Sequence, residues 1–278
     1  MTAPDILIAQ ISDLHVKRPG QLAYGKVDTA AALARCVKEL NRLAPRPHLV
    51  VISGDLVDTP AAEEYAHLKS LLAPLEIPFL AVPGNHDDRA MLREALPRQK
   101  AAAAGAINLA RQVGAVDLLA LDSSVPGKPH GALDAETLRW LDNELAASGT
   151  RPAFLFLHHP PFVTGIAHMD VQNLRNAAAL AEIVRRYPRV RLVAAGHVHR
   201  ATFTQFAGVP ATICPAPNHA VALDLDAHLP PSLTVEPPAF HLHAWFAGEG
   251  FGRLVTHHVP IGDFPGSYPF FGNDGRLL

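Results

Sequence analysis

The sequence contains only two cysteines, Cys36 and Cys214, among its 278 residues. Two thiols do not make the set of disulfides that holds small secreted domains together. Cys36 falls in a helical pattern and Cys214 at the end of a strand-like one. A reducing compartment is the simpler interpretation, and we expect a cytoplasmic protein.

Long apolar runs are missing as well. A helix that crosses a membrane needs about 18 or more consecutive apolar residues, and no run here approaches that length. The first ten residues, MTAPDILIAQ, have neither the basic region nor the apolar stretch of a signal peptide. We therefore expect no membrane partner.

The sequence also lacks an excess of charge of one sign, since the formal net charge is only −2. Proteins that bind a long nucleic-acid backbone usually carry a basic patch or stripe. A nucleic-acid partner is therefore disfavoured, and a small-molecule substrate fits the composition better.

Hydrophobic residues make up 49% of the sequence and charged residues 18%, so the chain can bury a sizeable core. Its length suits one large domain, or one domain with an appendage. The unusual feature is sixteen histidines. Histidine is the commonest metal ligand in proteins, so this excess asks for an explanation.

Short apolar, β-branched runs alternate with helical patterns over the first two hundred residues, which is typical of an α/β architecture. The predicted strands are Ile6–Ile11, Leu49–Ile52, Phe79–Val82, Val116–Leu121, Ala153–Leu157 and Arg191–Ala194. The predicted helices are Thr29–Leu43, Ala61–Leu72, Asp134–Ala147 and Leu174–Tyr187.

After Gly196 the pattern contains strands without helices, and we expect these strands to add an antiparallel sheet. Around Phe240, apolar residues alternate with His241, His243 and Trp245, the period of a half-exposed strand. If those side chains are exposed, the late strands could pair across a two-fold axis, which leaves a homo-oligomer open. The proline-rich stretch 227–239 suggests a long surface loop.

Polar residues of the types that bind metal ions, Asp, Asn and His, follow the predicted strands. In open α/β sheets, the carboxyl ends of the strands are where sites assemble. A lone His or Gly-Asp there is more often structural, but D-x-H and H-x-H place two donors on the same side of an extended segment. The residues in question are Asp13, His15, Asp55, Asn85, His86, His158, His159, His197 and His199.

The number of donors then indicates how many metals are involved. Seven of them, Asp13, His15, Asp55, Asn85, His158, His197 and His199, are too many for one four-coordinate ion. Seven donors suit two metal ions about 4 Å apart, bridged by Asp55. Imidazole mixed with oxygen ligands favours Mn, Fe or Zn over Ca or Mg. Asn85 would be a neutral ligand, and His86 would face the reacting phosphate.

The order of the motifs, D-x-H, G-D, G-N-H-D, H-H-P-P and G-H-x-H, resembles the calcineurin-like metallophosphoesterase superfamily. The resemblance covers about residues 5–225. It implies a four-layer αββα sandwich with two mixed sheets: a core at 1–225, and a strand extension and tail at 226–278 packed on it. It also implies two divalent or trivalent transition metal ions per chain.

Carried over by position, Asp13, His15 and His199 would hold the first metal, while Asn85, His158 and His197 would hold the second. Asp55 would bridge them. Hydroxide activated by the metals would attack phosphorus, and His86 would stabilise or protonate the leaving side. Asn85 would contact substrate as well as metal. His159 would pack beside the metal site or support one of its ligands.

Differences from related families narrow the choice of substrate class. Asp58 stands where purple acid phosphatases have a ligating tyrosine, and the arginine of protein serine/threonine phosphatases is missing. The sequence looks most like bacterial class III phosphodiesterases, which include cyclic-nucleotide and glycerophosphodiester phosphodiesterases. By that resemblance His219 would line the substrate pocket. A nuclease, a phosphomonoesterase and a metal-free scaffold of the same fold remain alternatives.

Overall fold

The computed structural model describes residues 3–97, 105–248, 252–272 and 276–277. The helices are α1 (Thr29–Arg42), α2 (Ala62–Leu72), α3 (Arg89–Ala95), α4 (Ala135–Ala147), α5 (Ala167–Asp170) and α6 (Ala177–Arg186). The strands are β1 (Ile6–Ile11), β2 (Leu49–Ser53), β3 (Phe79–Val82), β4 (Leu109–Val113), β5 (Val116–Leu121), β6 (Ala153–Leu157), β7 (Val190–Ala195), β8 (Thr202–Phe206), β9 (Val209–Ile213), β10 (Ala220–Val221), β11 (Leu233–Thr234), β12 (Ala239–Phe246) and β13 (Arg253–Pro260).

Two mixed sheets form the centre of the molecule. The first has the order β13-β12-β1-β2-β3, and the second has the order β4-β5-β6-β7-β9-β8. Strands β1, β2 and β3 are parallel to one another, as are β5, β6, β7 and β9. Parallel neighbours bring their carboxyl ends to the same edge, so each sheet presents several loops at one end.

The sheets pack face to face, with helices on their outer faces. Helix α1 buries Leu33, Val37 and Leu40, a helical spacing that turns one stripe toward the first sheet. Helices α4 and α6 cover the second sheet in the same way. Along β6, Phe154 and Phe156 point into the space between the sheets, while neighbouring leucines point to the helices. The predicted four-layer αββα sandwich is therefore confirmed.

The predicted strands and helices of the first two hundred residues are present, with ends within three residues of the prediction. The late strands differ from the prediction. Most of them do not make a separate antiparallel sheet: β8 and β9 extend the second sheet, and β12 and β13 extend the first. Among the described strands, the two-residue strands β10 and β11 pair antiparallel as a small sheet of their own. Strand β12 pairs antiparallel with β1, so residues from 226–278 lie next to the first strand of the chain.

The prediction that the side chains of His241, His243 and Trp245 are exposed is wrong. All three are buried, because β12 lies inside the sandwich and its second face meets the other sheet. The Trp245 ring lies 5.9 Å from that of Phe154, and the His243 ring lies 5.9 Å from that of Phe156. These side chains therefore give no support to pairing across a two-fold axis. Within the described residues, no helix is both long and apolar enough to traverse a bilayer.

Candidate metal centre

The polar residues predicted at the strand ends meet at one place. Loops after β1, β2 and β3 of the first sheet and after β6 and β7 of the second converge at the carboxyl edge of both sheets. Backbone hydrogen bonds join these loops. The amide of Asp13 donates to the carbonyl of Gly54 at 3.0 Å, and that of His15 donates to the carbonyl of Asp55 at 3.0 Å. The candidate centre thus spans the seam between the two sheets.

The backbone at the candidate ligands is unusual. Seven described residues other than glycine have a clearly positive φ, and five of them are Asp13, His15, Asp55, His197 and His199. The left-handed region costs a residue with a Cβ roughly 1–2 kcal/mol. Such strain clusters where a side chain must be aimed at a functional point. These loops turn sharply as soon as the strands end.

Three side chains form one group. The ligand atoms of Asp13, His15 and His199 all lie within 4.8 Å of one another. Nε2 of His15 is 3.2 Å from Nε2 of His199, and Nε2 of His199 is 3.4 Å from Oδ1 of Asp13. All three residues are buried. This is the first of the two predicted ligand sets.

The second predicted set lies beside the first. Nε2 of His158 is 3.2 Å from Oδ1 of Asn85 and 3.3 Å from Oδ2 of Asp55. The same Oδ2 atom is 3.5 Å from Nε2 of His15. The His197 ring lies 5.1 Å from that of His158. The Asp55 carboxylate therefore stands between one imidazole of each set.

The protonation of these imidazoles tests whether the residues fit a cation. Nδ1 of His158 lies 2.9 Å from the carbonyl oxygen of Ser53, so it carries the proton when the ring is neutral. Nε2 then offers a lone pair that faces two oxygen acceptors, on Asp55 and Asn85. Nε2 of His197 is buried, and among the described residues it has no hydrogen-bond partner. Lone pairs directed at one another need positive charge between them, which a proton or a metal ion supplies, so the donor set fits a metal.

The electrostatics agree with this fit. Burial disfavours charge on His158, but the carboxylates of Asp55 and Asp13 outweigh burial and raise its pKa to about 9. Burial, followed by the charge of His158, lowers the pKa of His197 to about 3. Burial raises the pKa of Asp13 to about 6. The carboxylates draw positive charge to this point, while His197 stays neutral, the form that binds metals.

Two motif glycines explain how the loops come so close. A Cβ on Gly84 would lie 2.1 Å from Oδ1 of Asp55, and one on Gly196 would lie 2.0 Å from Oγ of Ser12 and 2.9 Å from Oδ2 of Asp13. Real Cβ atoms essentially never approach other atoms this closely. The glycines of G-N-H-D and G-H-x-H therefore make room for the carboxylates of the centre.

His86 lies at the edge of the centre and is partly exposed. Its backbone amide donates to Oδ1 of Asp55 at 2.9 Å, and its Nδ1 lies 2.8 Å from the carbonyl oxygen of Asp58. His219 is more buried, with its ring 4.5 Å from that of His199 and 5.8 Å from that of His15. Burial, then the charge of His15, lowers the pKa of His219 to about 4. His86 and His219, the two predicted substrate contacts that are not also predicted ligands, therefore lie beside the candidate ligands.

His159 is buried on the far side of His158. Its Nδ1 lies 2.9 Å from Oγ of Ser123, and its ring lies 4.8 Å from those of both His158 and His197. The ligand atoms of these three histidines also fall within 4.8 Å of one another. The supporting role of His159 accordingly stays a prediction.

Asp58, for which the sequence predicts no role at the site, supports two site residues. Its Oδ1 lies 3.2 Å from Nδ1 of His15, its carbonyl oxygen lies next to His86, and Lys17 pairs with its other carboxylate oxygen. Burial would raise the pKa of Asp58, but hydrogen bonds from His15 and Lys17 outweigh burial and lower it. Its place three residues after Asp55, in the same loop, was the available signal.

Asp87 and Asn218 also hold the loops of the centre. The Asp87 carboxylate accepts hydrogen bonds from the amides of Leu56 and Gly84, which ties the loop after β2 to the loop after β3. The Asn218 side-chain amide donates to the carbonyls of Asp13 and Leu14 at 2.9 and 3.0 Å. The Asn218 amide group is therefore occupied by hydrogen bonds to the backbone of the loop after β1.

Neither arginine near the motifs reaches the centre as a free cation. Arg89 makes a two-pronged ion pair with Asp122 and also donates to the carbonyl of Ser124. Arg200 donates to the carbonyl of Val221 and pairs with Glu236. Arg200 and Glu236 line a cavity of about 220 Å³ that adjoins His199 and His219.

Comparison with known proteins assigns the family. Residues 6–201 match the calcineurin-like phosphoesterase family. The chain belongs to this family. It is 38% identical over 275 residues to the probable glycerophosphodiester phosphodiesterase GpdQ of Arcobacter nitrofigilis, which covers 98% of this chain and 100% of that protein. It is 30% identical over 241 residues to the 3′,5′-cyclic adenosine monophosphate phosphodiesterase CpdA of Escherichia coli, covering 83% and 85% of the two chains.

A solved structure agrees on the fold. A dimetal phosphatase from Danio rerio superposes with a TM-score of 0.63 at 15% identity, covering 93% of this chain and 100% of that one. At that identity the likeness speaks for the architecture alone. The family and the named relatives make this chain a phosphoesterase similar to phosphodiesterases.

Proposed function

We propose that the chain hydrolyses small phosphodiesters, either glycerophosphodiesters or cyclic nucleotides, at a centre of two metal ions. The observation that carries this proposal is the place of Asp55. One oxygen of its carboxylate lies within 3.5 Å of an imidazole nitrogen from each ligand set. A carboxylate placed between the two ligand sets is what two neighbouring cations require, because its negative charge offsets their mutual repulsion.

The residues divide between two ions as follows. The first ion would be held by Asp13, His15 and His199, the second by Asn85, His158 and His197, and Asp55 would be shared between them. Imidazole, carboxylate and amide oxygen together suit Mn, Fe or Zn. When bound, such ions activate water as a nucleophile and polarise a phosphate oxygen.

His86 supplies the proton for the leaving group. The carbonyl of Asp58 accepts from Nδ1 of His86 and so fixes the orientation of the ring. Nε2 is then the atom that gains or loses a proton toward the substrate. Because the ring is partly exposed and 4.7 Å from that of His15, it can contact a phosphate held at the centre. The Nε2 atom takes up the proton released as water attacks phosphorus, and it gives that proton to the alkoxide as the bond between phosphorus and the leaving oxygen breaks, which balances the hydrolysis.

The charges around the centre favour a diester over a monoester. Enzymes that bind a monoester dianion commonly use the fork of an arginine. Here Arg89 and Arg200 are both engaged by carboxylates, and Lys17 is paired with Asp58. A diester carries one negative charge, which the metal ions can balance without a further cation.

A hydrolysis panel tests the proposal. We expect kcat/KM for an aryl phosphodiester to exceed that for the matching monoester at about pH 8 with Mn²⁺. The kcat/KM values for cyclic AMP and glycerophosphocholine then show which natural class of diester the chain prefers. His86→Ala should keep its metal and lose roughly 10²–10³ in kcat, the scale of losing one preorganised stabiliser. A preference for the monoester would overturn the diester assignment, and loss of metal from His86→Ala would make His86 a ligand.

A further inference from the structure

A strained turn lies between β1 and α1. The amide of Lys26 donates to the carbonyl of Ala23 at 3.0 Å, and the two central residues, Tyr24 and Gly25, have φ values of 53° and 65°. Positive φ at both central positions defines a type I′ turn, which favours Asn-Gly. A bulky aromatic residue in the left-handed region is a genuine outlier. The turn therefore holds a tyrosine where the backbone prefers a small polar residue.

A second turn of the same kind shows that the backbone does not require an aromatic side chain. Ala207 and Gly208 join β8 to β9 with φ values of 52° and 88°. There the first position is filled by a methyl group. Apart from Ala207 and Tyr24, the described residues other than glycine with positive φ are the five candidate ligands already named. The strain at Tyr24 thus belongs with the centre rather than with an ordinary hairpin.

The surroundings fix the position of the Tyr24 ring at the centre. The ring lies 5.3 Å from that of His219 in an edge-on arrangement, and His219 in turn contacts His199. Burial, followed by the charges of Asp58, Asp55 and Asp13, raises the pKa of Tyr24, which places the phenol within the field of the carboxylates. Nevertheless 57% of the Tyr24 surface is exposed.

The turn is anchored firmly enough to hold the ring in place. Ala23 and Val27 are buried and exchange two backbone hydrogen bonds of 2.9 and 3.0 Å. The hydroxyl of Thr29, at the start of α1, donates to the carbonyl of the candidate ligand His15 at 2.8 Å. A flat apolar face is therefore presented to solvent at a fixed place beside the centre.

We propose that Tyr24 determines specificity by stacking on an unsaturated ring in the organic arm of the diester, such as a nucleobase or an aryl group. This inference rests on the proposed phosphodiesterase function and names the part of the substrate that the chain itself selects. The centre holds the phosphate, which all diesters share. The Tyr24 ring adds more affinity for an arm with a π-face than for a glycerol arm, because a flexible polyol has no planar ring to stack on it.

The test compares variants on two classes of diester. With cyclic AMP and bis(p-nitrophenyl) phosphate, Tyr24→Ala should lower kcat/KM roughly tenfold or more, the scale of losing one base–aromatic stack. With glycerophosphoethanolamine it should change kcat/KM less than about threefold. Tyr24→Phe should behave like wild type on both classes, since it keeps the ring. Leu22→Ala, an exposed position in the same loop, is the matched control.

Tyr24→Asn separates a functional role from a structural one. Asparagine tolerates the left-handed region, so this variant should keep or gain thermal stability while losing the preference for ring-bearing substrates. Equal losses on both classes of diester, or losses by Tyr24→Phe as large as those by Tyr24→Ala, would overturn the proposal.

A binding measurement keeps this inference distinct from the proposed function. Calorimetry should show that Tyr24→Ala weakens 5′-AMP but leaves sn-glycerol 3-phosphate unchanged. If wild type binds 5′-AMP through Tyr24 but hydrolyses no diester, the proposed function fails and the role of Tyr24 stands. If diesters are hydrolysed and 5′-AMP affinity is unaffected by Tyr24→Ala, the role of Tyr24 fails alone.

Discussion

Gly84→Ala should disable the centre without touching any candidate ligand. The added Cβ would lie 2.1 Å from Oδ1 of Asp55, whereas ordinary contact begins at 3.4 Å. The Asp55 carboxylate must therefore shift by roughly 1.3 Å, and metal–ligand distances tolerate only about 0.2 Å. Asp55 has little freedom to accommodate this shift, because Oδ1 also accepts the amide of His86. We expect bound metal to fall and kcat to drop by about 10² or more, since a 1 Å misplacement has that effect in other sites.

The assay for Gly84→Ala is metal content per folded chain, by elemental analysis, together with kcat on an aryl diester. Gly248→Ala is the matched control, because a Cβ there meets nothing within 4 Å and its φ needs no glycine. Circular dichroism establishes that both variants are folded. A Gly84→Ala protein with wild-type metal content and kcat would refute the claim that the Asp55 carboxylate is confined between the two ligand sets.

Three further predictions concern the ligands and the buried histidines. Asp55→Ala should lose most of its metal, and added Mn²⁺ should raise the Tm of wild type but not that of the variant; a response equal to that of wild type would remove Asp55 from the bridge. His158→Ala should lose metal while His159→Ala retains it, and the opposite result in elemental analysis would exchange their roles. His241, whose pKa burial lowers from 6.5 to about 3, is neutral in the folded chain. Below pH 6.5 the unfolded chain binds a proton at this position that the folded chain does not, so stability falls as pH drops from 6.5 toward 3. By about pH 5 this loss reaches roughly 2 kcal/mol, and urea unfolding of His241→Leu should show a pH dependence weaker by that amount.

The sequence predicts the central strands and the position of the site well because both depend on local rules. Each strand is a short apolar run, and each candidate ligand follows the end of such a run by a few residues. Asp13 and His15 after β1, and His197 and His199 after β7, lie at the edge to which the direction of parallel strands brings them, although their positive φ values show that the chain is no longer extended there. The topology of the fold then brings the loops together, so the motifs themselves need not specify which distant segments they contact.

The errors come from facts that no single segment contains. The alternation around His241 is that of a strand with one exposed face, but β12 lies between β1 and β13 and its second face is covered by the other sheet. Tyr24 is separated from His219 by almost two hundred residues, and its φ is set by a turn whose ends are fixed by packing. Asp58 acts partly through its backbone carbonyl, which leaves no mark in a pattern of side chains.

The division of the ligands between the two sheets explains why the motifs are scattered over nearly two hundred residues. Direct hydrogen bonds already link the sheets at this edge: the His197 amide donates to Asp13, and Nδ1 of His158 faces the carbonyl of Ser53. Beneath them, the buried Gln10 side chain donates to Ser53 and to the carbonyl of Ala195. Each proposed metal ion would add bonds across the same seam, because both ligand sets take members from both sheets. Metal binding and the packing of the two sheets are then linked equilibria, so loading of the centre stabilises the fold in proportion to the logarithm of metal concentration above its Kd.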